Sequence, residues 1–361
     1  MMGNDNRRHS IMQMHLHRYA FHSLRALLIL VVNLLWALPT LATTLTTEQA
    51  YQKGKILHFQ DRFEEAEPYL LQAGESGNAS AYYLLANAGN PNRYLMGEKE
   101  YKYKKLAADN GHLAAMIGLI MPRSISPKKT YWRNQLLEIL KPEIKNNNPL
   151  AMQLKNIMPS TGEDVVLSDV KNAAYAGHPR AQYFLARRYE NGEGWFLLPG
   201  SREKEVAKLY EASARGGYHD AIWYLGYEMI EAGEIDAGVT KIQSLVDKGA
   251  AQTLSTYGIL LTNINPDPRQ TWKQIDKIRG ATYLKAVKDS MSAKSKDGLY
   301  QDLYRYAKED LSDEEIKQGD ILAEEYLRTH TVYRQDGLDE YEYTVDNLHT
   351  ALERWGGNAI E

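Results

Sequence analysis

A glycine followed four residues later by a small residue recurs along this chain, and its spacing restricts the fold more than any other feature. The clear copies are Gly77 with Ala81, Gly111 with Ala115, Gly177 with Ala181, and Gly217 with Ala221. Weaker copies, Asn147 with Ala151 and Gly249 with Thr253, fill the gaps and give intervals of 34, 36, 30, 40 and 32 residues. A period in this range indicates stacked pairs of helices.

The clearest copy of this unit runs from residue 170 to residue 194. Ala181, Leu185 and Tyr189 are spaced four residues apart, so they lie on one face of a predicted helix. Small residues on such a face allow neighbouring helices to approach closely. The sequence therefore predicts an all-α fold, a solenoid of about six helix-turn-helix repeats.

The 40-residue interval carries an apolar insert, WFLLPG, at residues 195–200. A continuous apolar run in a loop is unusual, because loops lie on the surface. One interpretation makes the insert a plug that covers the neighbouring repeat, and we favour it. The other makes the insert an exposed contact surface.

The N-terminal residues have the pattern of a secretory signal peptide. Arginines precede an apolar run over residues 26–38, and small residues follow near position 42. A helix of that length spans only about 20 Å, whereas the hydrocarbon core of a bilayer is about 30 Å thick. We therefore predict a signal peptide over 1–42, in preference to a permanent membrane anchor. The chain contains no cysteine, which removes lipidation at a cysteine and favours a nonlipidated periplasmic protein.

Composition and motifs give little support for nucleic-acid binding or catalysis. Without residues 1–42 the formal charge becomes −6, and an acidic chain is repelled by phosphate backbones. The sequence contains neither the G-x-S-x-G nor the H-E-x-x-H motif. We expect no catalytic residues, no cofactor and no metal. The histidines that follow turn glycines, His112, His178 and His219, are explained by the repeat, and Asn263, Asn265 and Asp267 are an incomplete calcium-loop pattern.

Two segments of the chain resemble the Sel-one-like repeat, a relative of the tetratricopeptide repeat. They are AAYAGHPRAQYFLARRYENGEG from Ala173 and ASARGGYHDAIWYLGYEMIEAG from Ala212. The resemblance implies a Sel-one-like repeat solenoid over 43–265. The pattern fades after Pro266 and Pro268, and a solenoid must cover its last apolar face, so we predict a C-terminal helical capping region over 266–361.

The resemblance also implies which side chains line the concave groove of the array. In tetratricopeptide-like arrays these are the residues two before and two after the conserved leucine of the first helix. The matching residues here are Tyr83, Tyr183, Arg187, Trp223 and Tyr227. Aromatic residues and arginine carry much of the energy of protein interfaces. Alternatively, Tyr183 and Trp223 only pack between adjacent repeats.

The expected partner is another protein, with no nucleic acid and no membrane span after signal removal. Exported Sel-one-like proteins of this size resemble the immunity proteins that neutralise type VI secretion toxins, especially phospholipase effectors. That resemblance implies a one-to-one complex with a secreted toxin. The alternative is an envelope scaffold that assembles other exported proteins, for example in polysaccharide secretion.

Overall fold

The computed structural model describes most of the chain beyond the N-terminal segment. The described residues are 45–89, 96–121, 124–146, 148, 151, 154, 167–175, 177–264 and 275–334. The predicted signal peptide, the turn residue Asn147, and Asn265 and Asp267 of the incomplete calcium-loop pattern lie outside the described residues.

The described residues form 15 α-helices and one short 3-10 helix, without a β-strand. The helices are α1 Thr47–Phe59, α2 Phe63–Glu75, α3 Ala79–Asn87, α4 Glu98–Asp109, α5 Leu113–Ile120, α6 Lys129–Lys145, α7 Leu167–Tyr175, α8 Pro179–Glu190, α9 Ser201–Arg215, α10 His219–Glu231, α11 Ile235–Val246, α12 Ala251–Thr262, α13 Lys277–Ser290, α14 Leu299–Lys308 and α15 Asp313–Thr329. Among them, no helix combines the length and the apolar character needed to cross a membrane.

Helices that are consecutive in sequence pack against each other as stacked hairpins. The strongest pairings are α1 with α2, α8 with α9, α10 with α11, and α12 with α13. Neighbouring hairpins contact each other where the second helix of one meets the first helix of the next: α2 meets α3, α9 meets α10, and α11 meets α12. Near the C-terminus α14 and α15 both pack on α13. The predicted all-α repeat solenoid is therefore confirmed.

The turn that precedes each first helix has the same backbone geometry in every described copy. Its glycines have positive φ, a region that only glycine enters without steric cost: Gly77 (96°), Gly111 (88°), Gly177 (95°), Gly217 (88°) and Gly249 (75°). The amide of the following residue donates to the carbonyl five residues earlier, as from His178 to Ala173 at 3.1 Å. Asn148 makes the same bond to Glu143 at 2.9 Å, so the weak copy keeps the turn.

The residue after the turn glycine also caps the next helix in four copies. Its side chain accepts a hydrogen bond from the amide three residues later, which satisfies one of the unpaired donors of the first turn. The capping residues are Asn78, His112, Asn148 and His178. His112 and His178 therefore have a structural role as helix caps, as the sequence indicated. His219 occupies a different position, because it is the first residue of α10.

Glycines let the two helices of a hairpin touch through their backbones. A Cβ atom on Gly238 of α11 would lie 2.5 Å from the carbonyl oxygen of Gly226 in α10. A Cβ atom on Gly280 of α13 would lie 2.8 Å from the carbonyl oxygen of Gly258 in α12. The alanines four residues after the turn positions are likewise buried between helices: Ala81, Ala115, Ala151, Ala181 and Ala221.

The C-terminal part of the array folds back onto the first hairpin. Arg334 donates from its amide to the carbonyl of Phe59 at 2.8 Å and from its guanidinium to Asp61 at 2.7 Å. The amide side chain of Gln60, which is buried, donates to the carbonyl of Val332 at 3.0 Å. Tyr333 forms an isolated parallel β-bridge with Ala250, in the turn before α12. The sequence predicted a terminal cap but not this closure between the two ends of the array.

A buried histidine lies beside this closure. His58 packs edge-on against Phe59 and Phe63, with ring centroids 5.1 and 5.2 Å away. Burial, together with the charge of Arg334, lowers the pKa of His58 to about 3. Burial also lowers the pKa of the capping His178, with a further contribution from Arg180, to about 4. Both rings are therefore neutral in the folded protein at neutral pH.

Replacing Gly238 by alanine should destabilise the protein, because the new methyl group must push α10 and α11 apart. Overpacking costs about 1–3 kcal/mol, and the gain of about 1 kcal/mol in helix propensity offsets only part of it. The matched control is Gly319→Ala in α15, where the nearest atom would be 3.5 Å away, an ordinary contact. Urea unfolding followed by circular dichroism should show a lower midpoint for Gly238→Ala and an equal or higher one for Gly319→Ala. Equal losses would contradict this account.

Acid should lower the free energy of unfolding through His58 and His178. Their folded pKa values lie below the unfolded value of 6.5, so the unfolded chain takes up more protons as the pH falls from about 6.5 toward 4. Each histidine should contribute a slope of about 1.4 kcal/mol per pH unit in that window.

His178→Asn provides the control for this pH dependence. Asparagine already caps the equivalent position in two other copies, so the cap should survive while one titrating ring is removed. Urea midpoints measured between pH 7 and pH 4 should then fall less steeply for the variant. A variant curve parallel to the wild-type curve would show that His178 does not titrate as described.

Candidate protein-binding surface

The five predicted groove residues occupy different environments in the structure. Tyr83 on α3 is half-buried and stacks on the ring of His112, with centroids 4.4 Å apart. Tyr183 and Trp223 are also half-buried, whereas Arg187 and Tyr227 are exposed. Tyr83 therefore contributes to packing between repeats, and the other four bring polar and aromatic surface to α8 and α10.

Tyr183 and Trp223 have both a packed side and an accessible side. The ring of Tyr183 lies 5.6 Å from Tyr210 and 5.2 Å from Tyr218. Trp223 packs on the core formed around Ile222 and Leu245, and its ring stacks on Tyr227 at 6.5 Å. Tyr183 and Trp223 can therefore pack between repeats and still present one side to a partner.

A carboxylate organises a group of tyrosines beside these residues. Glu190, the last residue of α8, accepts hydrogen bonds from the hydroxyls of Tyr210 and Tyr224, each at 2.9 Å. The rings of Tyr210 and Tyr224 stack with centroids 4.2 Å apart. Arg187 lies 4.0 Å from Glu190. We name Tyr183, Arg187, Glu190 and Tyr224, with Trp223 and Tyr227 on the same helix as Tyr224, the tyrosine face; Tyr210 is buried beneath it.

Tyr210 and Tyr224 stay protonated at physiological pH. Burial raises the pKa of Tyr210 and Tyr224 well above the usual value, and the hydrogen bonds to Glu190 raise them further. Both hydroxyls therefore remain donors, and Glu190 keeps two aromatic rings in one orientation. Tyr210 is itself buried, so the parts of this arrangement that another molecule can contact are Tyr224 and Arg187.

The apolar insert at residues 195–200 is mostly exposed. Trp195, Leu197 and Leu198 are 81%, 74% and 67% exposed. Phe196 alone turns inward, with its ring 4.9 Å from that of Tyr189. The favoured plug interpretation is therefore wrong for three of these four side chains and holds only for Phe196.

Arg202 holds the start of this loop, and Ser201 holds its other end by donating from its amide and its hydroxyl to the carbonyl of Leu198 at 3.2 and 2.6 Å. The guanidinium of Arg202 donates to the carbonyls of Tyr189, Glu193 and Gly194 at 2.7, 2.6 and 3.0 Å. It also lies over the ring of Phe196, 4.7 Å from the centroid. We name residues 193–200 the Trp195 loop. Its apolar side chains are exposed, and its backbone is held at both ends by hydrogen bonds.

Comparison with known proteins adds structural neighbours but no family assignment. No protein-family model matches the chain, and no curated protein matches it. The chain is similar to c5321, a protective antigen of uropathogenic Escherichia coli strains that displays an SLR fold, with 12% identity, a TM-score of 0.42 and 85% of this chain covered. The match spans 65% of that protein, less than two thirds of its length. The chain is also similar to a Sel1 repeat protein from Oxalobacter formigenes, with 16% identity, a TM-score of 0.36, and 78% of this chain and 86% of that chain covered.

Replacing Arg202 by lysine should loosen the Trp195 loop without unfolding the array. Lysine keeps the charge but cannot reproduce three hydrogen bonds to separate carbonyls, and bonds from charged donors are worth about 1.5–3 kcal/mol each. Amide hydrogen exchange should accelerate at least tenfold at Glu193 and Ser201, the amides at the two ends of the loop that donate backbone hydrogen bonds, to Arg188 at 3.0 Å and to Leu198 at 3.2 Å. Arg305→Lys, at an exposed arginine of α14, should leave exchange in the loop unchanged. Equal protection of the loop in both variants would contradict the role given to Arg202.

Proposed function

We propose that this protein acts by binding another protein after export to the periplasm, and that the tyrosine face is a principal contact surface. The observation that carries the proposal is the preorganisation of this face by Glu190, which holds half-buried Tyr224 beside exposed Arg187, above the buried ring of Tyr210. Tyrosine and arginine are enriched among residues that dominate binding energy. Rigid side chains lose little conformational entropy on binding, so the energy of their contacts is retained.

The proposed partner is a secreted toxin of the type VI class, most specifically a phospholipase effector. The support for this step is the resemblance of exported Sel-one-like proteins to the immunity proteins of such toxins, which is an argument by analogy. Export places an immunity protein in the compartment where an envelope-active toxin works. The protein would occupy the toxin in a one-to-one complex and thereby block its access to lipid.

Replacing Arg187 and Tyr227 together by alanine should weaken partner binding by at least 100-fold. The two side chains are exposed, and Tyr227 lies one helical turn from Trp223 and Tyr224, so their removal takes away contact area without disturbing the core. Two hot-spot residues contribute about 3 kcal/mol or more to binding. The matched control is the pair Arg305→Ala and Tyr306→Ala, which removes an exposed arginine and an exposed tyrosine from α14.

The measurement starts with a pull-down on the protein without residues 1–42, from cells that naturally produce it. The retained protein is identified, purified and titrated against each variant by calorimetry. A toxin partner should also kill cells unless the exported form of this protein is present. Protection by a form that stays in the cytoplasm would contradict the proposal, and so would several weakly bound partners of one assembly, which would indicate an envelope scaffold.

A further inference from the structure

The Trp195 loop has more exposed apolar surface than the packing of the repeats explains. Its three outward side chains lie within four consecutive residues and are 67–81% exposed, whereas Ile125 and Tyr131 stand alone and the pair Ile321 and Leu322 is only 49% and 37% exposed. Two contacts also hold the loop in place. The guanidinium of Arg202 donates to the carbonyls of Tyr189 and Gly194, and the ring of Phe196 packs against the ring of Tyr189. A fixed apolar protrusion of this kind is costly in water and is typical of a recognition site.

We propose that the Trp195 loop is a docking knob that inserts Trp195, Leu197 and Leu198 into an apolar cleft of the partner protein. The inference rests on the proposed function and deepens it by naming the chemistry that the partner must offer. The cleft must be wide enough for an indole ring and lined with aliphatic or aromatic side chains. Because the loop backbone is already fixed, insertion requires little further ordering.

The charges around the loop disfavour an anionic membrane surface as the occupant. Residues 188–205 contain three basic side chains, Arg188, Arg202 and Lys204, and four acidic ones. Arg202 is engaged with backbone carbonyls, and Arg188 forms an ion pair with Glu193 at 3.2 Å. Segments that bind anionic lipid carry an excess of lysine and arginine, which this loop lacks.

The area of the loop disfavours a second copy of this chain as the occupant. Three side chains of this size offer about 400 Å² of contact, on the scale of 150–250 Å² for one large aromatic residue. A stable interface buries about 800 Å² from each partner. Two loops meeting each other would therefore reach only half of that area. A cleft also buries the sides of the three side chains, and contact with the tyrosine face, whose Glu190 lies three residues before the loop, would supply further area.

Site-specific photocrosslinking tests the inference while the partner is still unidentified. A photoreactive amino acid, p-benzoylphenylalanine, is placed at position 195 or 198 of the full chain and, as a control, at position 321. The cells that naturally make the protein are irradiated and the adducts are identified by mass spectrometry. We expect one protein adduct of discrete mass at positions 195 and 198, and none at position 321.

The adduct partner is then purified and titrated against two triple-serine variants. Serine at Trp195, Leu197 and Leu198 should weaken binding by at least 100-fold, and serine at the separated residues Ile125, Tyr131 and Ile321 should change it by less than threefold. Both variants retain Arg202 and Phe196, and their thermal midpoints report whether the fold is intact. A variant that unfolds is replaced by Trp195→Ser alone, for which at least a tenfold loss is expected.

Several outcomes would overturn the inference. They are adducts between two copies of this chain, lipid adducts only, no protein adduct at positions 195 and 198, and equal adduct formation at position 321. Partner binding that depends on Arg187 and Tyr227 but not on the loop would overturn this inference and leave the proposed function standing. Binding that depends on the loop but not on those two residues would support this inference and remove the tyrosine face from the proposed function.

Discussion

The whole array depends on one backbone hydrogen bond that is repeated at each turn between hairpins. In six turns within the described residues, the amide after the turn position donates to the carbonyl five residues earlier, at 2.9–3.3 Å. In the five turns where the turn residue is a glycine, that glycine has positive φ, which it adopts without steric cost. The bond fixes the direction of the next helix, and so brings the buried small residue four positions after the turn, an alanine in five copies and Thr253 in the sixth, against its neighbours. Stacking, core and surface all follow from this local geometry.

Because this geometry is local, the sequence was sufficient to predict most of the solenoid. The glycine at the turn and the small residue four positions later lie close together in the chain, so their pattern is readable without tertiary information. The copy at Asn147 looked degenerate, yet Asn148 keeps both the backbone bond and the cap. The closure between Phe59 and Arg334 was not predictable, because it joins backbone groups 275 residues apart in sequence. No side-chain pattern indicates such a contact.

The arrangement of the tyrosine face was predictable only in part, for a similar reason. The resemblance implies Tyr183, Arg187, Trp223 and Tyr227 from their spacing around the leucine of each first helix, and the structure places them on α8 and α10. Glu190 is needed to explain the arrangement, but it meets Tyr210 on α9 and Tyr224 on α10 across three helices. Counting from the conserved leucine reaches none of these three residues. The apolar insert was recognised from composition, but composition did not predict that Trp195, Leu197 and Leu198 are exposed.

The position of the Trp195 loop within the repeat explains how the fold accommodates it. It lies between α8 and α9, inside the longest interval, and follows a turn at Gly192 in which the amide of Glu193 makes the same kind of bond, to the carbonyl of Arg188 at 3.0 Å. Lengthening a loop whose ends are already close adds little entropic cost, so additional residues there leave the helix pairing and the turn intact. An array that repeats one geometry throughout most of its length can therefore present a distinctive apolar surface at one place. The stability of the stacked hairpins offsets the cost of exposing that surface to water.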